Sequence, residues 1–127
     1  MRKKILILED SKERIAAFQI NMDRYDLTIV EHSYEAIEQL KNNHFDLVML
    51  DHDLNGKQID FDQEDYGSVV AKWMRNNEYY TKVIIHSLNI WSQKNMASYL
   101  NYCPTCGLLF AWTKEAQPVI DKFIGEK

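Results

Sequence analysis

The chain has 127 residues, with 15 Lys and Arg against 19 Asp and Glu, a formal net charge of −4, 46% hydrophobic residues and only four Gly and two Pro. That composition excludes a disordered or collagen-like chain, and at this length about two-thirds of the unfolded surface is buried on folding, so one domain spanning residues 1–127 can build a core without disulfide or metal staples. The mildly acidic balance argues against duplex DNA bound by phosphate neutralisation, although a small local basic patch could survive it; no stretch approaches the ~20 apolar residues of a membrane span, and the aliphatic run after Lys4 is too short for a signal-peptide core, so the expected location is the cytoplasm.

Lys4 to Leu8 is a continuous aliphatic run of the kind buried on both faces of a sheet, and it stops at Glu9, Asp10 and Ser11. A first strand is predicted there. Residues 12 to 22 space Ile15, Ala16, Phe18, Ile20 and Met22 at helical intervals among charges, with Ser11 or Asp10 as N-cap. Leu27 to Val30 reads as a second strand, Ser33 caps a helix carrying Tyr34, Ala36, Ile37 and Leu40, and Asp46 to Leu50 is a third strand ending at Asp51. Residues 66 to 77 predict a third helix, Lys82 to Ile85 a fourth strand, and residues 91 to 101 a fourth helix. Gly107 to Trp112 then predicts a fifth strand, with Thr113 capping a last helix through Ile124.

Strands alternating with helices imply an α/β fold: a three-layer, doubly wound, five-stranded parallel sheet of order 2-1-3-4-5. In such sheets ligands bind beyond the carboxyl ends of the strands, where the strand order reverses. Glu9 and Asp10 follow the first strand, Asp51, His52 and Asp53 the third, and His86, Ser87 and Asn89 the fourth. Charge is concentrated here too, since residues 51 to 65 hold six carboxylates against Lys57. Such clustering repels itself unless a cation sits nearby, although a solvated loop would look similar.

These residues resemble response-regulator receiver domains. The pair Glu9-Asp10, the strand-end Asp51 and the hydroxyl residue Ser87 fall where receivers keep magnesium ligands, a phosphoacceptor aspartate and a Ser/Thr switch. One departure concerns the lysine-proline pair that receivers carry after the fifth strand, because this chain reads Phe110, Ala111, Trp112, Thr113, Lys114 and Glu115. The phosphate-contacting lysine is displaced or absent. More specifically, Leu50-Asp51-His52-Asp53-Leu54 and His86-Ser87-Leu88-Asn89 resemble the cyclic-phosphate processing receiver domains. That resemblance implies metal-assisted handling of a cyclic phosphate, on a small phosphorylated ligand or an RNA end. The receiver likeness also implies a homodimer face at the fourth helix and fifth strand.

Read for their own chemistry, Glu9, Asp10 and Asp51, with Asp53 or its backbone beside them, offer oxygen ligands to a hard cation such as Mg²⁺ or Mn²⁺. Against this, Glu9 serves equally as a helix-dipole partner and Asp53 as a turn former. His86 and His52 suit a general acid and base, since opening a cyclic phosphate needs one group to activate water and another to protonate the leaving oxygen. Strand alternation sets His52 opposite Asp51 and Asp53, and His86 opposite Ser87, which would turn both rings away from the carboxylates unless the chain has left the strand. His52 bonding a loop carbonyl and Asn89 capping a helix are the plainer readings; Ser87 and Asn89 otherwise donate to phosphate oxygens. Cys103 and Cys106 form half of a four-cysteine zinc site, which in a reducing compartment reads as a loop between the fourth helix and fifth strand. Of the tryptophans, Trp73 and Trp112 read as packing, and Trp91 lies near enough to the crevice to stack on a base.

Three functions follow. The first is a metal-dependent phosphoesterase using Asp51 and His86; the second is a signalling receiver phosphorylated on Asp51; the third is a non-catalytic module binding a phosphate or a protein.

Overall fold

The computed structural model describes residues 2–51, 67–86 and 90–125, the side chains of residues 90–92 excepted. Among the described residues, five strands and five helices alternate: β1 (Lys4–Leu8), α1 (Lys12–Asn21), β2 (Asp26–Val30), α2 (Ser33–Asn42), β3 (Leu47–Leu50), α3 (Gly67–Asn76), β4 (Lys82–Ile85), α4 (Ile90–Tyr99), β5 (Thr105–Gly107) and α5 (Gln117–Gly125). The strands are parallel in the order β2-β1-β3-β4-β5, the doubly wound arrangement the alternation predicts.

Two apolar layers sandwich this sheet, and side-chain alternation decides which residue enters which. Leu6, Leu8, Val48, Leu50, Val83 and Ile85 face α2, α3 and α4, where Ala36, Leu40, Val70, Met74 and Met96 close over them. Ile5, Ile7, Leu47, Met49 and Ile84 face α1 and α5 and pack on Phe18, Met22, Ile120 and Ile124. Central strands buried on both faces need no polar alternation, which is why they read as unbroken aliphatic runs. Among the described residues, no helix is long and apolar enough to cross a membrane.

The ends differ from the sequence reading in informative ways. His32 takes the N-cap position of α2 without a side-chain capping bond to the helix, and Ser33 is its first, buried residue rather than its cap. The fifth strand is Thr105–Gly107, not Gly107 to Trp112, so Cys106 lies within it and not in a preceding loop. An edge strand that is half-buried to exposed needs no aliphatic run. The apolar string after it turns instead: Phe110 has φ 57°, outside the extended region, and its carbonyl accepts from the Thr113 amide at 3.0 Å and hydroxyl at 2.7 Å. Thr113 thus closes a turn instead of capping a helix, and α5 begins at Gln117, where Pro118 fits a first turn whose amides lack intrahelical acceptors.

Candidate phosphoryl and metal site

The site begins with the register of three parallel strands. Leu8 pairs with Leu50 and Leu50 with Ile85, so the next residues, Glu9, Asp51 and His86, form a transverse row. The ladder runs one step beyond the strands to hold that row: the Asp51 amide donates to the Leu8 carbonyl at 3.3 Å and the His86 amide to the Leu50 carbonyl at 2.9 Å. By alternation all three side chains emerge on the α1/α5 face. Consistent with this, the His86 ring meets Phe18 of α1 edge-on, with centroids 5.5 Å apart. The residues are buried, at 0%, 4% and 0% relative exposure, and their candidate ligand atoms all lie within 4.8 Å of one another. His86 therefore points at the carboxylates, not away from them as alternation against Ser87 suggested.

The Glu9 carboxylate meets the start of α1 with one oxygen and faces His86 and Arg14 with the other. Its Oε2 accepts from the amides of Asp10 (3.1 Å) and Ser11 (3.2 Å) at the start of α1. Its Oε1 has no hydrogen-bond partner among the described residues and lies 3.5 Å from His86 Nε2 and 3.8 Å from Arg14 Nη1. Burial pushes the Glu9 carboxyl up, but His86, the Ser11 amide and the Arg14 guanidinium together bring it below the usual value. Asp10 goes the other way, raised by burial first and then by the charges of Glu9 and Glu31, with only partial relief from an amide and Arg14. Asp10 is not among the residues of the buried cluster.

A divalent cation fits this donor set. Two carboxylates and an imidazole lie within reach of one ion, and among the described residues Glu9 Oε1 and both ring nitrogens of His86 are buried without hydrogen-bond partners. Carboxylate oxygens suit Mg²⁺, and the imidazole admits Mn²⁺ and other first-row ions as well. His52, Asp53, Ser87 and Asn89 lie outside the described residues, as does the side chain of Trp91.

Arg14 is the residue that sequence reasoning missed. Its Nη1 lies 3.8 Å from both Glu9 Oε1 and Asp51 Oδ2. The signal was available in helical spacing: Arg14 precedes the buried Phe18 by four residues, so it shares that helix face one turn nearer the strand ends.

The family model described as cyclic-phosphate processing receiver domain matches residues 4–102. The chain belongs to that family. Solved receiver domains share the fold of this receiver domain at low identity. A CheY-like response regulator receiver domain from Methanospirillum hungatei is 15% identical with a TM-score of 0.70, over 97% of this chain and 94% of that one. The response regulator TrrA from Thermotoga maritima, in complex with Mg²⁺ and beryllofluoride, is 19% identical with a TM-score of 0.68, over 95% and 98%. The beryllofluoride-activated DrrB receiver domain is 14% identical with a TM-score of 0.73, over 99% and 100%. No curated protein matches the chain.

Proposed function

We propose that this receiver domain accepts a phosphoryl group on Asp51 with the help of a divalent cation. The observation that carries this reading is the buried row of Glu9 and Asp51 at the ends of adjacent parallel strands, with an arginine facing both carboxylates. Glu9, Asp51 and His86 would hold the cation, which when bound offsets negative charge on the phosphoryl oxygens. One oxygen of Asp51 attacks the phosphorus of a small phosphodonor; the bond to the leaving group breaks, its electron pair departs with that group, and a carboxyl-phosphate anhydride remains. That two receivers of the same fold were solved with beryllofluoride accords with this reading.

The test is to incubate the protein with acetyl phosphate or phosphoramidate in Mg²⁺ or Mn²⁺ and record the intact mass. One phosphoryl group should be added to the wild type and none to Asp51→Asn. A wild type that stays unmodified with both donors and both metals would overturn the assignment.

His86 supports a second reading, hydrolysis of a cyclic phosphate, one form that the cyclic-phosphate processing of the family's description could take. An imidazole buried beside two carboxylates, with neither nitrogen hydrogen-bonded among the described residues, can take a proton from a water that attacks phosphorus and pass that proton to the ring oxygen as its P–O bond breaks. Ring opening of 2′,3′-cyclic nucleotides or of cyclic-phosphate-ended oligoribonucleotides that is lost in both Asp51→Asn and His86→Ala would select it. Intact substrate after incubation with folded protein and either metal would remove it.

A further inference from the structure

We propose that Arg14, seated on the ring of Trp112, is the oxyanion-binding cation of the crevice, receiving the phosphoryl oxygens beside Asp51; this rests on the phosphoryl reading of the site. The guanidinium carbon lies 4.2 Å from the Trp112 ring centroid. Stacking on an indole occupies one face of the planar cation and leaves its N–H edge free, the edge that matches an oxyanion. Among the described residues that edge donates no hydrogen bond: the 3.8 Å separations from Glu9 and Asp51 exceed the ~2.7–2.9 Å of a charge-assisted one. With its side chain 27% exposed, Arg14 is also reachable by a ligand that the buried carboxylates would otherwise repel.

The turn after β5 fixes the seat. The Trp112 carbonyl accepts from Asn21 Nδ2 of α1 at 2.8 Å, and Gln117 Nε2 of α5 donates to the carbonyls of Ala111 (3.2 Å) and Thr113 (2.8 Å). Phe110 meets the Trp112 ring edge-on at 5.6 Å while holding a left-handed backbone, φ 57°, that a bulky residue adopts only under constraint. Lys114, the next cation along this segment, is exposed and makes no ion pair with Glu9 or Asp51 among the described residues.

The assignment makes two affinities move in opposite directions. Arg14→Gln should weaken binding of beryllofluoride at saturating Mn²⁺ by about tenfold or more, the loss expected for charged hydrogen bonds, while strengthening Mn²⁺ binding measured without anion, because a positive charge leaves the carboxylates. Arg14→Lys should recover part of the anion affinity, and Trp112→Leu should lose about threefold by unseating the arginine. Both affinities are read by calorimetry, with the unfolding midpoint of each variant as a check on folding. A folded Arg14→Gln that binds beryllofluoride like the wild type, or that loses anion and Mn²⁺ affinity together, overturns the role of Arg14 and leaves the phosphoryl reading standing. Wild-type protein that binds Mn²⁺ but no beryllofluoride overturns both.

Discussion

The two faces of the sheet are packed with equally apolar side chains, yet they end differently. On the α2/α3/α4 face the alternating series stops at Leu8, Leu50 and Ile85 and stays hydrophobic to its last rung. On the α1/α5 face the same three strands run one residue further, into Glu9, Asp51 and His86. One step of register therefore separates a sealed core from a buried polar row. It also decides which helices meet the polar row: α1 brings Phe18 and Arg14 to it, whereas Met74 and Leu40 pack in the core of the other face.

Large-to-small substitutions on each face sharpen that contrast. Phe18→Ala should destabilise by about 3–5 kcal/mol and Met74→Ala by about 2–5 kcal/mol, since both side chains are fully buried. Chemical denaturation measures each loss. Only Phe18→Ala should also weaken divalent-ion binding, because it removes the surface against which the His86 ring rests. Equal loss of metal affinity in both variants would show that the row depends on global stability and not on its own face.

Metal loading gives the next effect in size. An ion bound by Glu9, Asp51 and His86 at a hundred times its dissociation constant should stabilise the fold by about 2.7 kcal/mol. The gain is read as a rise in unfolding midpoint with added Mn²⁺, and Glu9→Gln should reduce it sharply.

Gly67 tests where the faces touch. It opens α3, and a Cβ there would lie 2.0 Å from the Asp51 carbonyl oxygen and 3.0 Å from Met96 Sδ. The first contact is with backbone and cannot be relieved by a rotamer, so Gly67→Ala must shift α3 or the end of β3. A loss of about 1–3 kcal/mol is expected from such overpacking, together with slower phosphoryl transfer to Asp51. Gly67→Ala with wild-type stability would mean that α3 can slide without cost.

How much of this was legible in the sequence follows the same division. The central strands announced themselves because burial on both faces demands an unbroken aliphatic run, and the first polar residue after each run marked the site. The edge strand did not, because Thr105, Cys106 and Gly107 are only partly covered while the apolar string that follows packs as a turn. Ala111 and Trp112 are hydrophobic because they pack against α1 and α5, a requirement no strand periodicity encodes. Arg14 was harder to read for a related reason: beside its near neighbour Glu9, its partners Asp51 and Trp112 are brought to it by register and by a turn, not by proximity along the chain.

The smallest expected effect lies at the far edge of the α1/α5 face. There Asp121 of α5 accepts from Arg24 Nη2 at 2.7 Å and Nε at 2.9 Å and from the Tyr25 hydroxyl. Arg24 also reaches Gln117 Oε1 at 2.8 Å, and Gln117 holds the carbonyls on either side of Trp112, so a chain of contacts links α5 to the seat of Arg14. Burial alone would raise the Asp121 carboxyl, but the bonds from Tyr25 and Arg24 hold it below its ordinary 3.8. A carboxyl depressed in the folded state stabilises the protein above its unfolded value, and that contribution disappears as the pH falls through the folded one. Asp121→Asn should therefore cost less than about 1 kcal/mol at neutral pH, because its side chain is half exposed and screened, and the difference from wild type should close below pH 3.8. If Asp121→Asn instead weakens beryllofluoride binding as strongly as Trp112→Leu, the contact chain through Arg24 and Gln117 positions the arginine, and the edge of this face is part of its site.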